Sequence, residues 1–535
     1  MSKKIDIQER NQQFLKEPGV EDYRRIHDDN LVQLRKKKRN EHLAKRRAFG
    51  TDRATQAEDS PEMVSDAIRF DISSVPEELA KYERQLVNPD LSPTNRLNTL
   101  ISLIISSTSM DLLKLSVRTL RLVLTYDETN PCKYIGDSGI SAKLIQCVLY
   151  PDKDLQYEAV WCITNLSSGE DKVVDELLRL NVIEALSKVF NENPSSDIAN
   201  QAVWALGNIA GGSQEQRDKV VNCGIGEWII KQISTSQRMT GTSLNTMVWT
   251  LANLLRGKTL QQASLFQEFL SISLKLLCLD NEDILSDTLW GFAYAMDGEV
   301  GRIQPVLNTG LGMRIVQLVG SESYKIKLPA LRVIGNILLG DELQTQTIID
   351  YGVIDQLVPL VNSQNKLLKK DAAWCISNIC SGSVSQAEAI LAHAGIASIV
   401  ALLRDPDFSI KLEACYIFVN STNRANSNLI INLLQYELIE ELCQLIDHQD
   451  SRIVILSLQT IWNILKHSKA YMIFHNENTD RALPRLDEVG GISKIESLQG
   501  HRNYDIYQKA TEVIKEFLGG EEVSQNAYQQ GNFEF

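Results

Sequence analysis

The sequence predicts an all-α fold in which short helical units follow one another as a solenoid. A pair of residues four positions apart, most often Trp followed by Asn, recurs along the chain, and successive second positions of the pair lie 41 to 45 residues apart. Such a period is typical of helical repeat proteins. The chain has 535 residues, which is long for one compact domain. A solenoid has no such limit, because each repeat contacts only its neighbours.

The recurring pair stands on predicted helices, where residues four apart share one face. Five of the seven Trp occupy the first position of this pair. The full pairs are Trp161 with Asn165, Trp204 with Asn208, Trp249 with Asn253, and Trp374 with Asn378, and the variants are Trp290 with Tyr294, Arg332 with Asn336, and Tyr416 with Asn420.

A row of such pairs suits the binding of an extended basic peptide. An Asn side chain offers a donor and an acceptor at once, so it can hold a peptide backbone whatever its side chains. Indole faces make slots for aliphatic stems and attract the cationic ends of Lys and Arg. The alternative is that each Trp is core and each Asn bonds between repeats. Four full pairs in phase favour the binding ladder.

Charge divides the chain into a basic end and an acidic body. Residues 1–53 hold 15 Lys and Arg against 9 Asp and Glu, a net charge of +6. The remaining residues hold 40 against 59, a net charge of −19. An acidic body favours basic ligands over nucleic acid, because phosphate binding requires a positive surface.

Composition along the chain predicts four parts. These are a basic segment over 1–53, an acidic linker over 54–76, the repeat domain over 77–518 and a disordered polar tail over 519–535. Residues 21–49 contain no Gly or Pro and predict one long helix. Its apolar stripe is thin, so we expect a partner to order it, although a solvated helix or a nuclear-localisation or nucleic-acid patch has the same composition.

Within the repeat domain, glycines follow several of the apolar runs and predict helix C-caps. These glycines are Gly169, Gly211, Gly212, Gly257, Gly298, Gly340 and Gly382. The first and last repeats lack full pairs, as capping units do; residues 112–125 have neither member, and Asn463 follows Gln459 instead of Trp.

Motifs for catalysis, cofactors or metals are missing from the sequence, and we expect none of these functions. The nine Cys include no C-x-x-C pair and predict small buried residues in a reducing compartment. No signal peptide opens the chain, and no apolar run is long enough to span a bilayer, so we expect a soluble intracellular protein.

The ladder and the basic segment together resemble the importin-α (karyopherin-α) family of nuclear import adaptors. The resemblance covers about residues 20–518, and the stretch from Leu34 to Arg47 is similar to that family's importin-β-binding segment. It implies a right-handed armadillo-repeat solenoid of about ten three-helix repeats, whose third helices line the inner groove. The basic residues carried over are Arg35, Lys36, Lys37, Lys38, Arg39, Lys45, Arg46 and Arg47. In the family, the Lys-Arg-Arg at 45–47 can occupy the protein's own groove.

The resemblance also implies two sites for the nuclear localisation signals of cargo. The major site falls on Trp161, Asn165, Gln201, Trp204, Asn208, Trp249 and Asn253. The minor site falls on Tyr294, Asn336, Glu342, Asp371, Trp374, Asn378, Glu413, Tyr416 and Asn420. The implied partners are cargo proteins, importin-β and an export receptor, with shuttling between cytoplasm and nucleus and no direct contact with nucleic acid or membrane.

Three sequence features refine this expectation. Asp371 and Glu413 stand three residues before their aromatic partners, where a carboxylate can meet a ligand ammonium between rings. Arg332 replaces Trp and breaks the ladder in two, which suits a two-cluster ligand. Gly212 stands where the family usually has an Asp that pairs with a cargo lysine. The competing class is an armadillo scaffold of the β-catenin kind, which needs no basic segment similar to its ligand.

Overall fold

The structure is a computed structural model, and it describes residues 93–126, 135, 138–192, 196–235 and 241–518. Every regular element within these ranges is a helix. The chain forms two compact units, residues 1–295 and 296–535, each with its own internal packing. The predicted helix over 21–49, the linker and the C-terminal tail lie outside the described residues.

The first unit contains twelve described helices. They are α1 (Pro93–Ser106), α2 (Met110–Tyr126), α3 (Ile140–Val148), α4 (Lys153–Leu166), α5 (Asp171–Arg179), α6 (Val182–Glu192), α7 (Asp197–Ala210), α8 (Gln214–Val221), α9 (Ile225–Thr235), α10 (Thr242–Leu254), α11 (Leu260–Leu277) and α12 (Glu282–Met296). The repeating triplet is clearest in α5, α6 and α7. Helices α2, α4, α7 and α10 pack in sequence, each against the next.

The second unit continues the same pattern. Its α-helices are α13 (Ile303–Asn308), α14 (Leu311–Val319), α15 (Tyr324–Ile337), α16 (Glu342–Asp350), α17 (Val353–Leu360), α18 (Lys366–Cys380), α19 (Val384–Leu391), α20 (Ile396–Val400), α21 (Phe408–Thr422), α22 (Ser427–Asn432), α23 (Leu438–Leu445), α24 (Ser451–His475), α25 (Leu483–Glu488), α26 (Gly491–Ser497) and α27 (Tyr504–Val513). Short 3₁₀ turns and one π turn extend some of them. Here α15, α18, α21, α24 and α27 pack in succession.

The third helices carry the recurring pairs, and the sequence explains where they start and why they are buried. Asp152, Ser196, Asn365 and Asp407 each cap a third helix by accepting a backbone N–H with the side chain. Helix α7 buries all but two of its residues, because α4, α6, α8 and α10 all pack against it. A helix that is apolar nearly all round is stable only in such a position.

The predicted C-cap glycines have a different role in four of the repeats. Of those predicted, only Gly298 has a positive φ, 70°. At Gly212, Gly257, Gly340 and Gly382 a Cβ would overlap the Oε1 atom of the Gln at the third position of the next helix. In each case that Gln closes a capping box at the start of the helix. These glycines therefore make room for a capping side chain.

Cysteine burial follows the prediction only in part. Within the described ranges, Cys147, Cys162, Cys375, Cys380, Cys415 and Cys443 are buried thiols. Cys223 is partly exposed and Cys278 is exposed, so two of the nine depart from the expected pattern; Cys132 lies outside the described residues. Among these residues, no single helix is both long and apolar enough to cross a membrane.

Candidate functional site

In the first unit, the predicted pairs form one continuous row on α4, α7 and α10. We call this row the first ladder; its members are Trp161, Asn165, Trp204, Asn208, Trp249 and Asn253. Trp161 and Trp249 are partly exposed, while Trp204 is only 7% exposed. Gln201 stands one turn before Trp204 and is also buried. The structure thus brings the predicted major-site residues onto neighbouring helices.

The Asn side chains of the first ladder connect each repeat to the one before. Asn208 Nδ2 donates to the backbone carbonyl of Thr164 at 3.0 Å and to Ser167 Oγ at 3.2 Å. Asn253 Nδ2 donates to the carbonyl of Gly207 at 3.2 Å. These bonds are the structural role that the sequence left as an alternative. They use the amide nitrogen, so the amide oxygen of each Asn keeps its acceptor capacity for a ligand N–H.

Close packing between repeats fixes the orientation of the next indole. A Cβ on Gly207 would lie 2.5 Å from Trp249 Cζ3, so only glycine lets that ring lie against α7. Gly335 has the same relation to Trp374 in the second unit. Both glycines directly precede the Asn of their own repeat. The ladder geometry therefore depends on small residues beside the pairs as well as on the pairs.

Tyr294, the first predicted minor-site residue, lies on α12 in the first unit. Its ring stacks on Trp290 with centroids 5.3 Å apart, and the Arg256 guanidinium lies 5.6 Å from the ring centroid. The aromatic face at this position therefore already has a cation from the chain beside it.

In the second unit, the remaining minor-site residues fall on four helices. We call Trp374, Asn378, Tyr416 and Asn420 the second ladder; they lie on α18 and α21, with Asn336 on α15 and the exposed Glu342 at the start of α16. Asn420 Nδ2 donates to the carbonyl of Ser377 at 3.4 Å. Asn378 differs, because it is 1% exposed and neither of its amide atoms has a hydrogen-bond partner.

The two predicted carboxylates of the second ladder have different surroundings. Arg332 Nε lies 2.6 Å from Asp371 Oδ2, so the Asp371 carboxylate is paired within the chain. Burial raises the pKa of Asp371, and the Arg332 charge opposes that shift. Glu413 is only partly buried, and its Oε2 accepts from Ser377 Oγ at 3.0 Å. The Asp371 carboxylate thus has a basic side chain as its partner, whereas the Glu413 carboxylate bonds to a hydroxyl.

Desolvation raises the pKa of Glu413 to about 7, with Asp371 adding to the shift and Ser377 and Lys370 opposing it. The folded state therefore holds this proton more tightly than the unfolded chain. Its contribution to stability is full below the ordinary pKa of 4.5 and is lost as pH rises through about 7.

We therefore expect wild type to lose stability relative to Glu413→Gln between pH 5 and pH 8, on the order of 1–3 kcal/mol given partial solvent screening. Chemical denaturation at a series of pH values measures this difference. Glu496→Gln, which removes an exposed carboxylate of the same unit, is the control. Parallel pH profiles for wild type and Glu413→Gln would contradict the expectation.

Sequence reasoning missed one group of residues beside the first ladder. Arg121 lies with its guanidinium carbon 4.4 Å from the Trp161 ring centroid, and its Nε is 2.5 Å from Glu158 Oε2. Asn165 Nδ2 donates to Thr125 Oγ1 at 3.0 Å. Arg121 and Thr125 thus occupy the Trp and Asn positions of a repeat that lacks both. The spacing of Glu158 from Trp161 was a usable signal, because it equals that of Asp371 from Trp374.

Helix triplets of this kind, with rows of Trp and Asn on their third helices, define an armadillo-repeat protein. Residues 129–168, 170–211 and 341–381 match the armadillo/beta-catenin-like repeat, and residues 485–530 match the atypical Arm repeat. A crystal structure of an engineered protein from the Northeast Structural Genomics Consortium superposes with a TM-score of 0.70 over 78% of this chain and 98% of its own. At 22% identity, that likeness concerns the fold alone.

Relatives with curated names give the family. The chain is 37% identical to importin subunit alpha-B of Dictyostelium discoideum, over 96% of this chain and 94% of that protein. It is 31% identical to importin subunit alpha-3 of Arabidopsis thaliana, over 93% and 90% of the two chains. Residues 10–92 match the importin beta binding domain. The chain belongs to the importin subunit alpha family, which confirms the resemblance and sets aside the β-catenin-like scaffold.

Proposed function

We propose that this chain is a nuclear import adaptor that binds basic localisation signals of cargo on its two ladders and links them to importin-β. The cargo main chain would meet the Asn amides, and Lys and Arg stems would lie between the rings. The observation that carries the proposal is Arg121, which already makes this kind of contact: its guanidinium lies over Trp161 at 4.4 Å and beside Glu158.

The basic segment supplies the proposed link to importin-β, since residues 10–92 match the importin beta binding domain. In the same proposal, an export receptor returns the protein, which shuttles between cytoplasm and nucleus, and neither nucleic acid nor membrane is a direct ligand. The net charge of −19 outside residues 1–53 supports a basic cargo.

Titration with a lysine-rich peptide tests the first half of the proposal, and a pull-down with recombinant importin-β tests the second. We expect binding of the basic peptide to weaken as salt rises, and little binding of a peptide with its lysines replaced by glutamine. Equal binding of the two peptides, or failure to capture importin-β, would contradict the corresponding half.

Gly212 bears on how strongly the first ladder binds a single basic cluster. An Asp there would supply the carboxylate that the family usually has, and at about 4 Å from an ammonium it gives roughly 4 kcal/mol of gross attraction at an effective dielectric near 20. Solvation and side-chain ordering remove most of that gain. The same substitution must displace Gln216, which closes the capping box of α8 and donates to Asp175 Oδ1 at 3.0 Å.

We therefore expect Gly212→Asp to bind a single-cluster peptide severalfold tighter than wild type, with an affinity that falls more steeply as salt rises. We also expect it to lose roughly 0.5–2 kcal/mol of folding stability, because the helix cap is disturbed. Peptide titration and thermal denaturation measure the two effects. Gly212→Ala is the matched control, because it displaces Gln216 without adding charge. An affinity of Gly212→Asp equal to that of Gly212→Ala would show that other residues form the lysine pocket.

A further inference from the structure

Arg121 stands at the Trp position of the first described repeat and covers one face of the next indole. Its guanidinium carbon is 4.4 Å from the Trp161 centroid and its Nε is 2.5 Å from Glu158 Oε2. The side chains of Arg121 and Glu158 are only 12% and 16% exposed. The contact therefore belongs to the buried packing between α2 and α4.

A corresponding ion pair stands at the start of the second ladder. Arg332 also stands at a Trp position, and its Nε lies 2.6 Å from Asp371 Oδ2. Glu158 and Asp371 each stand three residues before the Trp of their repeat. These are the two arginines at Trp positions in the described chain, and each pairs with the acid one turn before the following Trp.

We propose that Arg121 and Arg332 are specificity-determining residues that close the first slot of each ladder, an inference that rests on the proposed function. Arg121 fills both the acid and the indole side of a slot that a ligand Lys or Arg would otherwise enter, and Arg332 pairs with the acid of the corresponding slot. An intramolecular group competes at high effective concentration, so an added ligand cation does not displace it. The two arginines thereby limit how many basic side chains of a ligand each ladder can bind.

Removing the arginine should convert the closed slot into a binding slot. In Arg121→Ala, one face of Trp161 becomes uncovered and the Glu158 carboxylate loses its partner. An unpaired carboxylate of low exposure is unfavourable, which increases its attraction for a cation from the ligand. The vacated space lies beside Trp161, the first Trp of the first ladder, so it extends that ladder by one position.

The test compares peptides that carry one basic cluster and differ only by a Lys or an Ala added at either end. When the added residue is at the peptide end that reaches Trp161, we expect wild type to bind the Lys and Ala forms with equal affinity. In Arg121→Ala we expect the Lys form to bind about fivefold tighter than the Ala form, because its ammonium gains a contact with the Trp161 indole. Arg121→Gln gives the same comparison if the Ala variant is unstable.

Two controls separate the slot from a general change in charge. Arg118→Ala removes the same charge from an exposed position on the same helix, and its Lys and Ala forms should bind as they do to wild type. The double variant Arg121→Ala with Glu158→Gln should lose most of the gain. No gain at either end in Arg121→Ala, or an equal gain in Arg118→Ala, would overturn the inference.

Agmatine, whose guanidinium copies that of arginine, probes the slot without cargo. Agmatine should change the indole emission of Arg121→Ala at concentrations that leave wild type unchanged, and replacing Trp161 with Phe in that variant should remove the response. Absence of this response would count against the inference even if cargo peptides bind. A response without any binding of basic peptides would instead contradict the proposed function alone.

Discussion

Deletion of residues 1–53 is expected to abolish binding of importin-β and to tighten binding of a basic cargo peptide by about tenfold or more. The segment carries a net charge of +6 and the remainder −19, so it is attracted to the same surface as cargo. It is also covalently attached, which gives it a high effective concentration at the ladders. Residues 10–53 of this segment fall within the importin beta binding match at residues 10–92.

A smaller substitution separates the two effects of this deletion. Replacing Lys45, Arg46 and Arg47 by Ala leaves the rest of the basic segment in place, so cargo affinity should rise while importin-β binding is largely kept. Peptide titration at matched salt and an importin-β pull-down measure both quantities for the two variants. Equal cargo affinity in the full-length and truncated proteins would contradict autoinhibition.

The repeat architecture could be predicted from the sequence because each repeat contains its own signal. The spacing of the pairs located the third helices, and the helical period placed Trp and Asn on one face. The family match confirms the architecture that the resemblance implied. Local signals of this kind suffice when a fold is built from short units that contact only their neighbours.

Contacts between repeats could not be predicted in the same way, since they join residues far apart in sequence. Arg121 lies 37 residues before its partner Glu158, and no local pattern joins them. The pairing of Asp371 with Arg332 is of the same kind, although each residue had been identified separately. The sequence indicated which residues share a face, but packing decided which of them meet a neighbour instead of a ligand.

The glycines show the same limit at short range. Gly followed by a polar residue is a common signal for a C-cap, and that was the expectation at Gly340. The structure instead places the Gln344 side chain where a Cβ would be, with its Oε1 accepting from the backbone N–H of Asp341 at 3.0 Å. The glycine and the capping Gln act together, which only the side-chain conformation reveals.

Asn208→Ala is expected to lower both stability and cargo affinity, because the structure gives the two ends of this amide separate roles. Its Nδ2 bonds to the carbonyl of Thr164 and to Ser167 Oγ, both buried. Removing it takes one of the two side-chain donors from the Thr164 carbonyl, which keeps Ser167 Oγ at 2.8 Å, and takes the amide donor from Ser167 Oγ. We expect the loss of the two bonds to cost about 1–3 kcal/mol. The substitution also removes the Asn208 amide oxygen, which we propose accepts a hydrogen bond from the cargo main chain.

Asn463→Ala is the matched control for this substitution. Asn463 is 2% exposed, and its Nδ2 donates to the carbonyl of Val419 at 3.4 Å and to Thr422 Oγ1 at 3.0 Å, the same type of connection between repeats. It lies outside both proposed cargo sites, so its replacement should lower stability by a similar amount with cargo affinity unchanged. Thermal denaturation and peptide titration of both variants measure the four quantities. If Asn208→Ala lost stability but bound peptide as wild type does, the Asn row would serve only to join the repeats, and cargo would have to be held by the indoles and carboxylates alone.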